Sequence, residues 1–108
     1  MRRGDIVVVA APGDYGKARP AVIIQSDALE DTGSVLVCLL TTTQRDAPFH
    51  RLTLCPTPDN GLREPSDVMV DKIVALPRSK CGVSIGRLTR DEIVALNHTL
   101  SLVVGLAD

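Results

Sequence analysis

Short apolar runs separated by Gly, Pro and polar residues recur along the chain, and their period changes only in the last quarter. Ile6-Val7-Val8-Val9 is dense in β-branched residues and predicts a first strand. Pro12, Gly13 and Gly16 then interrupt the pattern and predict a loop over 11–17. Ala21 to Gln25 predicts a second strand that starts just after Pro20, where a missing N–H is tolerated. Val35 to Leu40 is apolar throughout, the pattern of a strand buried on both faces. Phe49 to Leu54 alternates weakly and is a fourth strand. Asp67 to Val74 is a fifth, with Val68, Val70 and Lys72 on one face and Met69, Asp71 and Ile73 on the other. This spacing belongs to an all-β barrel or sandwich.

After Leu88 the period becomes helical. Thr89-Arg90-Asp91-Glu92 has the form of a capping box, in which the Thr89 hydroxyl accepts from the Glu92 N–H and the Glu92 carboxylate accepts from the Thr89 N–H. The helix predicted over 90–104 carries Ile93, Leu96, Leu100 and Val103 on one stripe, widened by Val94, Leu102 and Val104. That is more apolar surface than one packing face needs. Two uses remain open at this point: the helix plugs one end of a barrel, or its second face meets another subunit.

Composition narrows the class without naming an activity. At 108 residues the chain is expected to be one domain spanning 1–108 and able to fold without staples. Twelve Lys+Arg against 13 Asp+Glu exclude histone-like wrapping of nucleic acid by bulk charge. With Tyr15 and Phe49 as its two aromatics, the chain lacks a base-stacking sheet of the kind that reads single-stranded RNA. Cys38, Cys55 and Cys81 form no C-x-x-C pair, and His50 and His98 do not sit at zinc-ligand spacing from them, so they read as three reduced thiols and no metal site. The apolar run Ile6 to Ala10 is too short for a signal-peptide core and no window approaches a membrane span. A soluble protein of the cytoplasm is the expectation.

Two segments carry more chemistry than structure requires. In the first, Gly16-Lys17-Ala18-Arg19-Pro20 leads into the second strand, and the proline restricts the backbone that presents Arg19. A guanidinium donates bidentately to a phosphate, which suits an anion that gains charge during reaction. The plain alternative is a surface pair of Arg19 with Asp5 or Asp14. In the second segment, Thr41-Thr42-Thr43-Gln44 comes after an apolar strand; its hydroxyls bond either a phosphate oxygen or the backbone of a turn. His50 is of the residue type most used for acid–base work but stands next to Phe49 on a predicted strand, so a satisfied or solvent-facing ring is the better reading. His98, in mid-helix, reads as structural or interfacial.

Taken in order, these elements resemble the MazF/PemK growth-inhibitor toxins. The matching stretches are Arg3-Gly4-Asp5-Ile6-Val7, Gly16-Lys17-Ala18-Arg19-Pro20 with the strand to Gln25, Thr42-Thr43-Gln44 with Pro48-Phe49, Ser66 to Ile73, and Ile85-Gly86-Arg87-Leu88. The combination is specific although each piece is weak alone. The resemblance implies a mainly β fold with a C-terminal helix, a small SH3-like barrel of the CcdB/MazF type. It also implies a homodimeric, cofactor-free and metal-independent endoribonuclease that cuts single-stranded RNA and is neutralised by a cognate antitoxin.

Carried over by position, the resemblance makes Arg19 the catalytic arginine and Thr42 the threonine that assists it. Asp71 and Asp14 stand where relatives carry carboxylates proposed as general base, with the choice between them open. Substrate contacts implied around the site are Asp14, Tyr15, Lys17, Thr43, Gln44, Arg45 and Lys72, with Arg51 a further candidate. Met69 and the short loop before Arg19 depart from the family pattern and bear on base choice and RNA preference. A gyrase-poisoning relative of the CcdB branch, or a non-catalytic binding relative, is the alternative on this scaffold; the former relies on a C-terminal tryptophan, and this chain has none.

Overall fold

A computed structural model describes residues 1–10, 17–43, 50–106 and 108. Among them are six strands and one α-helix: β1 (Asp5–Ala10), β2 (Ala18–Ile23), β3 (Ser34–Thr41), β4 (Arg51–Leu54), β5 (Ser66–Pro77), β6 (Cys81–Arg87) and α1 (Arg90–Val103). All strand pairs are antiparallel, in the order β4-β5-β3-β2-β1-β6.

Alternation along the central strands divides the core in two. Ile6, Val22, Ile24, Cys38 and Leu40 join Leu54, Val68, Val70, Leu88 and Leu96 in one cluster beneath the helix. Val7, Val9, Ala21, Ile23, Val35, Val37 and Leu76 build a second cluster on the opposite face. β3 thus buries both faces over most of its length, as its unbroken apolar pattern predicts. Leu36, 40% exposed, departs from that pattern.

β4 and β6, the two sheet edges, do not pair with each other. The segment after β4 closes the gap instead, since the Asp59 carbonyl accepts from the Arg87 N–H at 2.9 Å. The result is a barrel-like sheet sealed by a loop, and an edge covered in this way is protected from pairing elsewhere.

The capping box forms as predicted: Thr89 N–H donates to Glu92 Oε1 at 2.8 Å and Glu92 N–H to Thr89 Oγ1 at 3.1 Å. Leu96 is fully buried, and Ile93, Leu100 and Val103 pack on the helix-side core. The helix therefore covers one face of the sheet. Val94, Leu102 and Val104 remain 62%, 41% and 52% exposed, so the widened part of the stripe points away from that core.

β5, β6 and β2 differ from the sequence-based expectation. β5 runs on to Pro77. β6 carries two glycines and a broken alternation, which hide a strand, and the hydrophobic pattern does not predict it. β2 begins at Ala18, so Pro20 lies inside it, opposite Val8 of β1.

Candidate active site

Pro20 is where the regular sheet stops. Ile24 N–H donates to the Leu36 carbonyl of β3 at 3.1 Å, and by strand alternation the amide positions of Val22 and Pro20 face β3 as well. Proline has no N–H to offer the Leu40 carbonyl. Pairing of β2 with β3 accordingly runs from Ile23 only to Ala21, while pairing of β2 with β1 continues through Arg19 to Ala18. Beyond Ala21 the ends of β2 and β3 line a cleft.

Arg19, Pro20 and Thr42 form a wall shared by two open depressions. The smaller, about 310 Å³, is lined by the polar side chains of Lys17, Arg19, Thr41, Thr42 and Thr43 together with Ala18, Pro20 and Leu40. The larger, about 600 Å³, is bounded by Val8, Leu62, Arg63, Glu64, Ser66 and Ile85. Arg19 is half-buried, Thr42 and Lys17 are exposed. A guanidinium and hydroxyls converging on one concave, solvent-open surface have the donor chemistry that a phosphate requires.

The wall of the larger depression is held by backbone fit. Gly86 pairs with Ile6 and Ser84 with Val7, so Ile85 is the extra residue of a bulge, which re-aims its side chain. Gly61, at φ +68°, lies against this bulge so closely that a Cβ there would overlap the Ile85 carbonyl oxygen. Asn60, 1% exposed, fixes the turn: its Oδ1 accepts from Thr57 N–H and Leu62 N–H, both at 3.0 Å, and its Nδ2 donates to the Cys55 carbonyl at 2.8 Å. Arg63 and Glu64 come next on this turn and are exposed. Sequence reasoning missed them, because Asn60-Gly61 reads as turn punctuation and nothing in the linear order shows that the turn folds back beside Arg19.

Of the residues singled out in the sequence, Arg19, Thr42, Lys17 and Thr43 come together at the cleft. Asp14, Tyr15, Gln44 and Arg45 lie outside the described residues. Asp71 and Lys72 line neither depression. They belong to a stretch where β5 carries four residues, 69–72, against Leu39 alone on β3. The Asp71 carboxylate lies 4.0 Å from His50 Nε2, both side chains partly exposed. His98 is exposed on α1. Arg51 is half-buried on β4, its Nε buried without a hydrogen-bond partner.

Asp5 does not pair with Arg19, because it sits at the opposite end of β1 from Val9, the residue Arg19 faces. It accepts from Arg2 N–H at 2.8 Å and lies 4.0 Å from Arg87. Arg3-Gly4-Asp5 is instead a structural corner. Arg3 donates through its backbone N–H to Asp27 and through Nε to the Ile24 carbonyl, and Gly4 bonds both Ile23 and Leu88 through its backbone.

Cysteine chemistry plays no part in the cleft. Burial pushes the Cys38 thiol up to about 12, helped by the negative charge of Asp71, so it stays protonated and inert. Burial also raises Cys81, against the opposing pull of Arg78. Among the described residues no group of His, Cys, Asp and Glu is placed to hold a metal ion, and no helix is long and apolar enough to cross a membrane.

Compared with known families, residues 2–104 match the PemK-like, MazF-like toxins of type II toxin–antitoxin systems. The chain belongs to that family. It is 44% identical over 108 residues to a probable endoribonuclease MazF of Mycolicibacterium smegmatis, with 99% of each chain covered. Among solved structures, it is similar to the Mycobacterium tuberculosis toxin MazF-mt6, with a TM-score of 0.81 at 25% identity, over 94% of this chain and 96% of that one. A mycobacterial endoribonuclease in complex with its cognate antitoxin matches with a TM-score of 0.80 at 26% identity, over 98% and 96% of the two chains. The PemK/MazF match spans every element from β1 through α1, those that build the cleft included.

Proposed function

We propose that this MazF-family chain is an endoribonuclease that cuts single-stranded mRNA at a short preferred sequence, without a metal, in the cytoplasm. The observation that carries the reading is the convergence of Arg19, Thr42 and Lys17 on an open cleft where the β2–β3 ladder ends. The endoribonuclease names of its mycobacterial relatives support it.

In this reading the nucleophile belongs to the substrate. The ribose 2′-oxygen attacks the adjacent phosphorus and its proton passes to a base; the P–O5′ bond breaks, the 5′-oxygen takes a proton, and a 2′,3′-cyclic phosphate remains. Charge accumulates on the phosphoryl oxygens in the transition state, and a guanidinium fixed in the cleft stabilises it there more than in the ground state. Arg19 takes this role and not that of proton donor, because a guanidinium holds its protons too tightly to act as a general acid. The Thr42 hydroxyl donates to a phosphate oxygen. Asp14 and Asp71 are the candidate bases; Asp71 lines neither depression, and Asp14 lies outside the described residues.

The exposed face of Val94, Leu102 and Val104 supports assembly as a homodimer. A cognate antitoxin, of the kind bound in the mycobacterial complex, neutralises the enzyme by laying an acidic segment over the cleft. To test the reading, the purified protein is incubated with mixed-sequence RNA in EDTA. Products ending in 2′,3′-cyclic phosphate are expected, with Arg19→Ala inactive and Thr42→Ala impaired. RNA left intact at high enzyme excess rejects the reading, as does undiminished cleavage by Arg19→Ala.

A further inference from the structure

The smaller depression accounts for a phosphate; beyond the wall they share, the larger one beside it is given no role by that reaction. Its composition is different. Val8, Pro20, Leu62 and Ile85 give it apolar walls, and Arg63 and Glu64 stand at it with charges of opposite sign. At about 600 Å³ it falls in the size range of small-molecule sites. Because it shares Arg19, Pro20 and Thr42 with the smaller depression, whatever occupies it lies within one nucleotide of a phosphate held there.

We propose that the larger depression seats the nucleobase next to the scissile phosphate and that Arg63 and Glu64 read its edge, guanine being the base that fits both. The inference rests on the endoribonuclease reading above. Sequence-specific recognition of single-stranded RNA takes unstacked bases and reads them on their Watson–Crick and Hoogsteen edges. Aliphatic walls accept the flat face of a base without an aromatic platform, which suits a chain with two aromatics. A carboxylate accepts two parallel N–H bonds, and a guanidinium donates two. Guanine alone among the four bases offers both counterparts in adjacent pairs, N1–H and N2–H for the carboxylate and O6 and N7 for the guanidinium.

The turn that carries the two side chains is positioned more firmly than a solvent loop requires. Asn60 ties three backbone groups, and Gly61 and Gly86 lie so close to neighbouring backbone that neither position has room for a Cβ. Specificity by hydrogen bonds needs that preorganisation, because a reader that moves with the base discriminates poorly.

The test is cleavage of a randomised single-stranded RNA pool by the full chain, with sequencing of the new ends, and then kinetics on oligonucleotides that differ only at the selected base. Guanine enrichment is expected at one of the two nucleotides flanking the cut. In Glu64→Gln and in Arg63→Ala, the guanine-over-adenine ratio of kcat/KM is expected to fall about 5- to 150-fold, the worth of one bidentate pair. Both side chains are exposed, so neither substitution removes core packing, and an unchanged thermal melt confirms the fold. A parent enzyme with no guanine preference at either flanking position overturns the proposal. So does an unchanged ratio in both variants while the parent cleaves. A parent that leaves RNA intact refutes the endoribonuclease reading itself, a result distinguishable from those two.

Discussion

Asn60→Ala tests whether the turn beside the cleft is held as described. The side chain is 1% exposed and makes three hydrogen bonds to backbone, accepting from Thr57 and Leu62 and donating to Cys55. Each such bond contributes ~0.5–1.5 kcal/mol net, so truncation costs about 3 kcal/mol before any rehydration of the freed groups. Near 60 °C a chain of this size unfolds with an entropy of about 0.23 kcal/mol/K, so the same loss lowers Tm by about 13 °C. Urea unfolding monitored by circular dichroism measures it, with the slope m unchanged because the same surface is exposed on unfolding. The residual fold should keep Arg19 and Thr42 in place, since β2 and β3 lie outside the turn, while Arg63 and Glu64 lose their fixed position. A loss below about 1 kcal/mol would refute the reasoning, because it means water or neighbouring groups satisfy the backbone equally well.

Three further outcomes are expected. Thr89→Ala removes the capping box and destabilises the chain by about 1 kcal/mol, read from the same urea curves; no change means that α1 is held by packing alone. The Cys38 thiol is raised from 9.0 to about 12 in the folded chain, so the unfolded chain ionises first; stability is full below pH 9 and falls as pH rises from 9 towards 12, a trend that Cys38→Ala should flatten. Arg19→Lys keeps the charge but loses the planar fork, and kcat/KM on a cleaved oligonucleotide should drop about a hundredfold; activity within threefold of the parent would mean that charge alone suffices.

The features legible in the sequence were those that repeat with a fixed period. β1 stands out as a β-branched run, β3 as an unbroken apolar one, β5 as far as Val74 by its alternation, and α1 through its stripe and its cap, because each pattern reflects burial of one element on another. The pair proposed as catalytic was legible as an ordered motif, Arg19-Pro20 before Thr42-Thr43, and the two come together in space. β6 was not legible, because Gly82 and Gly86 interrupt its alternation to let neighbouring backbone approach, and only the packed structure shows what approaches. Asp71 entered only through the family resemblance, as one of two candidate bases, and the extra residues of β5 place it toward His50. Insertions of that kind change the direction of a side chain without altering any periodicity.

Pro20 carries the same contrast into the site. At the start of a strand a proline is tolerated because its missing donor costs nothing there, and from sequence that is the simplest interpretation. Inside β2 it has a different consequence, because the absent N–H faces β3, and the ladder that joins Ile23 to Val37 and Ala21 to Leu39 goes no further. β1 still holds β2 through Arg19, so the strand that ends on one side remains anchored on the other. A guanidinium on such a half-anchored strand combines a backbone fixed on one side with an open cleft on the other, and an electrostatic catalyst needs both. Replacing Pro20 with Val should therefore let β2 and β3 zip toward Leu40. Stability would rise or stay constant while cleavage falls, and an enzyme that keeps full activity after this change would show that the proline's missing donor does not open the cleft.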